Sequence, residues 1–350
     1  MPERVLVCLS GGVDSTVATL LLKEAGHDVA AVTFWFWSFP GAPDYAGKTK
    51  CCSLDTAVLA ARELGIPHEE IDASADFERV VLDDFVARYR RGETPNPCGR
   101  CNRHLRFGTA LRYAADNGFD AVATGHHVRL TREADGSIAV RKGLDPNKDQ
   151  TYFLYGLDPN DLARLRFPVG EMTKDEVVAI AETRGLACAT LPESQDLCFA
   201  LGGDASFLFP TDALAPGPIL DLEGRVLGEH RGLPRYTIGQ RRGLGIASDR
   251  PLFVIAIDPD RNALIVGPDE ALLRSDLVAC EANYLTAPPS DGQRVDIKIR
   301  YRSPAVPGIY HRISDDRFGL TFDRPQRAIT PGQLAVLYDG DRLLGGGTIA

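Results

Sequence analysis

Hydrophobic and polar positions follow two textures along the 350 residues of the chain. In the first half, short apolar runs are separated by longer stretches whose apolar residues recur three and four positions apart. Arg4-Val-Leu-Val-Cys-Leu9 reads as a buried strand, and residues 16–25 as a helix closed by Gly26. Residues 28–36 read as a second strand, residues 54–64 as a helix ending at Gly65, and residues 68–72 as a third strand. An amphipathic helix is expected around residues 77–89, and another over residues 101–117, closed by Gly118, before a strand at residues 119–123. Strands alternating with helices imply a parallel sheet covered on both faces, whose ligands sit beyond the carboxyl ends of its strands. Near residue 200 the texture changes. Gly202, Gly203, Pro210, Pro216, Gly217 and Pro218 punctuate the chain, and short strands with turns follow. Residues 253–257 and 263–266 pattern as a hairpin, and residues 293–302, 318–322 and 333–338 continue to the end. The fold class expected is α/β: a catalytic domain over residues 1–200, then small β-rich domains over residues 201–270 and 271–350.

Composition narrows the class. With 44% hydrophobic, 25% charged and 8% aromatic residues, the chain is of soluble globular type, and long disorder is excluded. The most apolar stretch, residues 29–37, is about half the ~18 residues a membrane span needs. The first residues show no basic region or cleavage site, so no signal peptide is expected and the compartment expected is cytoplasmic. Eight cysteines in such a chain argue against a disulfide scaffold and for metal, catalysis or burial. A net charge of −9 argues against an overall basic nucleic-acid binder. The charge is uneven, however. Residues 79–112 carry eight arginines against three acids, and residues 294–327 eight lysines and arginines against four acids. Two such stretches suit an RNA held in a groove, although charge alone fits solvated faces equally well.

Three motifs carry chemistry. Ser10-Gly-Gly-Val-Asp-Ser15 lies between a strand and a helix. Its glycines allow a tight turn that points N–H groups into a concavity, and the helix N-terminus behind them suits a phosphate. Ser15 or Thr16 would cap that helix, and Asp14 lies where a carboxylate can hold Mg²⁺ beside phosphates. No Gly-x-x-x-x-Gly-Lys-Ser/Thr is present, which disfavours kinase-like γ-phosphate transfer. Thr124-Gly-His-His127 ends a strand, with a Gly that permits close approach of a ligand. Asn147-Lys-Asp-Gln-Thr-Tyr-Phe153 reads as a loop opening a helix, fit either to grip a polynucleotide or to start the helix in the ordinary way. Among the cysteines, Cys98 and Cys101 form a Cys-x-x-Cys turn amid Arg100, Arg103 and Arg106, a setting that raises thiolate content. Cys198 is a third thiol, and no second pair exists at zinc-ribbon spacing. Cys51 and Cys52 are adjacent and poorly placed to share one ion, while Cys8, Cys188 and Cys280 sit in apolar settings that suit burial. Three thiols without a fourth suit sulfur chemistry, or a cluster with one iron open.

The first motif resembles the pyrophosphate loop of ATP-dependent adenylating enzymes. Combined with Thr94-Pro-Asn-Pro97 and Cys101, Thr124 to His126, Asp145-Pro-Asn-Lys-Asp-Gln150, Ser194-Gln195 with Cys198, Tyr236-Thr-Ile-Gly-Gln-Arg-Arg-Gly-Leu-Gly-Ile246, Pro331-Gly-Gln333 and Leu344-Gly-Gly-Gly-Thr348, it resembles the bacterial tRNA-specific 2-thiouridylases over nearly the whole chain. The resemblance implies a pyrophosphate-loop domain, a small central domain and a C-terminal β-barrel. It also implies C2 thiolation of the wobble uridine, with ATP and Mg²⁺, a tRNA partner, a sulfur-donor protein or sulfide, no membrane, and a monomer. It maps ATP contacts to Cys8, Leu9, Ser10, Gly11, Gly12, Val13, Asp14, Ser15, Phe34 and Gly125. Contacts with tRNA map to His126, Lys148, Asp149, Gln150, Arg300, Tyr301 and Gln333, and the target base to Asn96, Pro97 and Cys98. Cys198 carries the sulfur as a persulfide, Cys101 releases it, and Asp14 completes the catalytic set. Where this chain has Cys98, many members of the family have Asp. Cys98, Cys101 and Cys198 thereby resemble the ligands of a 4Fe-4S cluster in related thiolases, a second sulfur route. Two other readings compete: an amidotransferase-type synthetase, which leaves the three thiols without a role, and a non-enzymatic RNA-binding cluster protein, which leaves the phosphate loop idle.

Overall fold

The computed structural model describes residues 1–37, 54–191, 197–200 and 205–350. Cys51, Cys52, Ser194 and Gln195 of the sequence motifs lie outside the described residues. The chain divides into two compact units. One comprises residues 1–81, 98–203 and 341–343, and the other residues 82–97, 204–340 and 344–350.

The first unit is built on strands β1 (Arg4–Cys8), β2 (Asp28–Trp35), β3 (His68–Asp72) and β4 (Ala121–Ala123), the hairpin β5 (Val128–Arg132) and β6 (Ile138–Lys142), and β7 (Leu165–Arg166). Five of them form a sheet in the order β3-β2-β1-β4-β7, with β1 parallel to both β2 and β4. The apolar run that predicted β1 alternates its side chains between two covered faces. Val5 and Val7 pack with Val29, Ala121 and Leu22, and Leu9, just past the strand, packs with Ala31, Ala57, Ala60 and Ala61. Helix Val13–Glu24 buries Val17 against Val177 and Ala181 of helix Lys174–Thr183. Burying one such valine stabilises the unit by about 2 kcal/mol. β1 is central, so chain progression reverses at its carboxyl end, the position where doubly wound sheets bind ligands.

Several sequence expectations shift. The first helix starts at Val13, not at residue 16, with Gly12 as its N-cap in extended conformation. The helix expected over residues 77–89 is broken into Ser74–Phe77, a π-helical turn Glu78–Leu82 and Asp83–Arg90. That expected over residues 101–117 starts earlier, at Pro97, whose fixed φ suits a first helical position. It passes through a π-helical turn at Asn102–Arg106 before Phe107–Asp116. A π-turn adds a residue to the helical repeat and rotates the face that follows, which a regular periodicity cannot foresee. Residues 147–153 open no α-helix, only the 3₁₀ turn Thr151–Phe153.

In the second unit, β8 (Gly217–Leu220), β9 (Val226–His230), β10 (Phe253–Asp258) and β11 (Ala263–Gly267) form a sheet in the order β10-β11-β8-β9. Six further strands follow: β12 (Leu273–Tyr284), β13 (Arg294–Lys298), β14 (Val306–Arg312), β15 (Phe318–Arg327), β16 (Leu334–Asp339) and β17 (Arg342–Ile349). Their order is β12-β15-β14-β13-β16-β17, and β17 pairs back onto β12, so the barrel is closed. Its interior is filled by Ile297, Tyr310, Phe318, Leu320 and Leu337. The observed class is therefore the expected one: an α/β parallel-sheet domain, a small central domain and a C-terminal β-barrel. Among the described residues, no helix is long and apolar enough to cross a membrane.

Candidate active site in the first unit

The loop after β1 is held by its own hydroxyls. Ser10 N–H donates to Ser15 Oγ at 3.2 Å, and the Ser10 and Ser15 hydroxyls are 3.0 Å apart. Ser15 and Thr16 hydroxyls donate to the Gly12 carbonyl at 3.1 and 3.0 Å. These two residues therefore tie the first turn from inside rather than cap it. Gly11 has φ +77°, and a Cβ there would lie 2.2 Å from Thr56 Oγ1. Gly125, after β4, packs against the same loop, since its Cβ would lie 2.4 Å from Ser15 N. The two motifs read separately from the sequence thus meet, beyond the carboxyl ends of adjacent strands. Phe34 is buried at the end of β2.

Asp14 is the charged centre of the loop. Its Oδ1 accepts from Lys174 Nζ at 2.7 Å and lies 3.1 Å from His127 Nε2. Burial opposes ionisation, but the hydrogen bonds from His127 and Lys174 outweigh it and hold the carboxyl below its usual range. The Asp14 side chain is 33% exposed. An ionised carboxylate with open surface beside hydroxyls and helix N–H groups fits the oxygen donor set of Mg²⁺. Lys174 was not singled out in the sequence. The signal was a capping box, Thr173 with Glu176, which starts helix Lys174–Thr183, but only the fold brings that helix start to Asp14. His127 is 2% exposed, and its Nδ1 has no hydrogen-bond partner among the described residues.

Of the residues expected to grip RNA, His126 and Asp149 are buried, and Lys148, Gln150, Arg300, Tyr301 and Gln333 are partly exposed. His126 is buried, its Nδ1 lies 2.7 Å from Thr124 Oγ1, and its ring packs on Phe107 and Phe167. Burial, reinforced by Arg106 and His127, pushes its pKa down to about 3, so the ring is neutral. Asp149 is buried and accepts from Thr151 N–H and Oγ1–H, and Gln150 Oε1 accepts from His127 N–H at 2.9 Å. Asp145 accepts from the Lys174 N–H at 3.2 Å. The segment around Lys148 is therefore the frame that seats His127 and Lys174 around Asp14. In the second unit, Arg300 donates to the Ala328 carbonyl and to Thr330 Oγ1, Tyr301 stacks under Lys298, and Gln333 donates to the Thr94 carbonyl.

Of the three expected sulfur-handling thiols, Cys98 is exposed, Cys101 is buried and Cys198 is partly buried. Among the described residues, no group of three His, Cys, Asp or Glu side chains is placed to hold a metal ion. Burial pushes the thiols of Cys8, up to about 12, and of Cys188 and Cys280 above the ordinary range, as inert small side chains require.

The family model described as "tRNA methyl transferase HUP domain" matches residues 3–202. The "tRNA methyl transferase PRC-barrel domain" matches residues 206–268, and the "Aminomethyltransferase beta-barrel domain" residues 274–349. Full-length relatives are similar throughout. The tRNA-specific 2-thiouridylase MnmA of Moorella thermoacetica is 47% identical over 98% of both chains. That of Roseiflexus castenholzii is 46% identical over 99% of both, and that of Geobacter metallireducens 43% identical over 99% of this chain and 96% of its own.

Proposed function

The chain belongs to the tRNA-specific 2-thiouridylase family, and from that premise we propose how its own residues divide the ATP-dependent 2-thiolation of a tRNA uridine. The enzyme is a tRNA sulfurtransferase. Its chemical problem is that the uracil C2 oxygen would have to leave as oxide. Adenylation converts it to AMP, a stable leaving group. Ser10, Gly11, Gly12 and the first-turn N–H groups of helix Val13–Glu24 receive the β- and γ-phosphates of ATP, while the C2 oxygen attacks the α-phosphorus and pyrophosphate departs. Bound Mg²⁺ supplies charge neutralisation at those phosphates, and Asp14 is the residue that would hold it. Phe34 and Gly125 complete the nucleotide site.

For sulfur, the reading rests on Cys198 and Cys101. The terminal sulfur of a Cys198 persulfide attacks C2 and AMP leaves, giving a disulfide between Cys198 and the base. The Cys101 thiolate then attacks the Cys198 sulfur, which frees the 2-thiouridine and leaves a Cys101–Cys198 disulfide for a thiol reductant to reopen. The persulfide sulfur comes from the persulfide of a sulfur-donor protein, whose own thiol is the leaving group when the Cys198 thiolate takes the outer sulfur. Asn96 to Cys98 receive the target base, the wobble uridine, which a single-stranded anticodon loop presents without duplex unstacking. Lys148 and the basic residues around Arg100 and Arg300 hold phosphates. The setting is a cytoplasmic monomer.

The observation that carries this reading is the preset loop, with Gly11 and Gly125 packed so closely that neither tolerates a side chain and Asp14 held charged between Lys174 and His127. The test is incubation with labelled ATP and unmodified tRNA. AMP, pyrophosphate and thiouridine formed only with tRNA are expected. Release of ADP, or turnover with a small acid or amide in place of tRNA, would overturn it.

A further inference from the structure

Asp14 presents its two carboxylate oxygens unequally. Lys174 Nζ donates to Oδ1 at 2.7 Å, and His127 Nε2 lies 3.1 Å from the same atom. Oδ2 takes no hydrogen bond from the described residues. An ionised carboxylate only accepts, so the His127 proton that faces it sits on Nε2. The two donors are not alike. The Lys174 ammonium ends a flexible four-carbon stem, whereas the His127 ring is rigid and its backbone is gripped twice by one residue. His127 N–H donates to Gln150 Oε1 at 2.9 Å, and Gln150 N–H donates to the His127 carbonyl at 3.3 Å. Gly143 lets the chain close on that grip, since a Cβ there would lie 2.5 Å from the His127 carbonyl oxygen. The seat comes at a cost. His127 is 2% exposed, and Nδ1 has no hydrogen-bond partner among the described residues, so a nitrogen that water would bond is desolvated without compensation. An apolar side chain of similar size would avoid that cost but would lose the donor at Oδ1.

We propose that His127 is a positioning residue for adenylation: seated on Gln150, it pins Oδ1 of Asp14 and leaves Oδ2 as the oxygen open to the divalent cation that accompanies ATP. The inference rests on the metal-holding role given to Asp14 above. It deepens that role by naming what orients the carboxylate, and it gives Gln150 a task besides any contact with tRNA. Without the fixed donor the carboxylate turns more freely about its last bond, and the cost of ordering it falls on metal binding.

The test uses the full-length enzyme and two amide variants. His127→Gln carries an N–H to about the place of Nε2, whereas His127→Asn ends near the place of Nδ1 and falls short of Asp14. Mn²⁺ stands in for Mg²⁺, because its electron spin resonance reports binding directly, and α,β-methylene-ATP supplies phosphates that cannot be cleaved at the reacting bond. His127→Asn is expected to weaken Mn²⁺ binding about tenfold, the scale of one hydrogen bond to a charged group. With ATP and tRNA, the Mg²⁺ concentration for half-maximal AMP formation should rise by more than the maximal rate falls. His127→Gln should restore both readings, and the melting temperatures of the two variants should agree. Wild-type Mn²⁺ binding in His127→Asn would overturn the proposal. So would an equal loss in both variants, or a loss in His127→Asn alone that is matched by a lowered melting temperature. If wild type binds Mn²⁺ no more tightly than Asp14→Asn does, the metal-holding role of Asp14 fails instead, and the positioning role with it.

Discussion

The phosphate loop and the thiols belong to the same unit but are prepared very differently. Around Asp14, the hydroxyls of Ser10, Ser15 and Thr16 are already paired, Lys174 and His127 are in place, and Gly125 is packed on the backbone. Cys98, Cys101 and Cys198 differ in exposure, the first exposed, the second buried and the third partly buried. The phosphate loop is thus a preset network of paired groups, whereas the three thiols are told apart by their access to solvent.

The largest effect expected is on the thiols. Cys101→Ser should abolish thiouridine formation and leave tRNA-dependent AMP release intact, measured on the same reaction. Cys98→Ala, prepared anaerobically, should remain active and colourless. A brown wild-type protein with iron and sulfide near about four each, and an inactive Cys98→Ala, would restore the cluster route and break the contrast drawn above. Next, Asp14→Asn should lower adenylation by about 10²-fold, the scale of one preset electrostatic group, with tRNA affinity little changed. Unaltered AMP release would reduce Asp14 to a helix-start residue. Third, His126 tests whether the loop side is closed to water. Its folded pKa of about 3 lies below the ordinary value, so the unfolded chain takes up the proton first as pH falls. Stability should therefore be level above about pH 6.5 and decline by about 1.4 kcal/mol per pH unit between there and about pH 3. Melting curves of wild type and His126→Gln across that window should differ in slope, and parallel curves would mean an open, hydrated ring. Smallest is Lys148→Ala, which should reduce the salt dependence of tRNA binding by about one unit of slope.

The parallel sheet and the loop after β1 were readable because each has its own signal: an apolar run, two glycines and a periodic helix. The hydroxyls of Ser15 and Thr16 were read as caps because side-chain type is visible in a sequence and the starting residue of a helix is not. Lys174 escaped because nothing local distinguishes it from any lysine at a helix start; its meaning lies in an ion pair with a residue 160 positions away. Asp149, Gln150 and Gln333 show the opposite limit. A polar residue in a loop has the same identity whether or not it also satisfies the backbone of its own chain, as each of these three does. Summed charge also misleads, since Arg88 is spent on Asp84, Glu93 and Glu281, and Arg294 and Arg312 on Asp323 and Asp315.

Closure of the barrel by β17 onto β12 bears on how the protein is made. The strand that seals it must find a partner that left the ribosome some seventy residues earlier; Cys280, for example, is opposite Thr348. Until then β12 and β16 carry unpaired edges, which invite pairing with other nascent chains. The Thr94 carbonyl waits longer still, because Gln333, which donates to it, arrives only with β16. A chain cut before β17 would thus leave the barrel open along β12 and β16, with two free edges on which to aggregate.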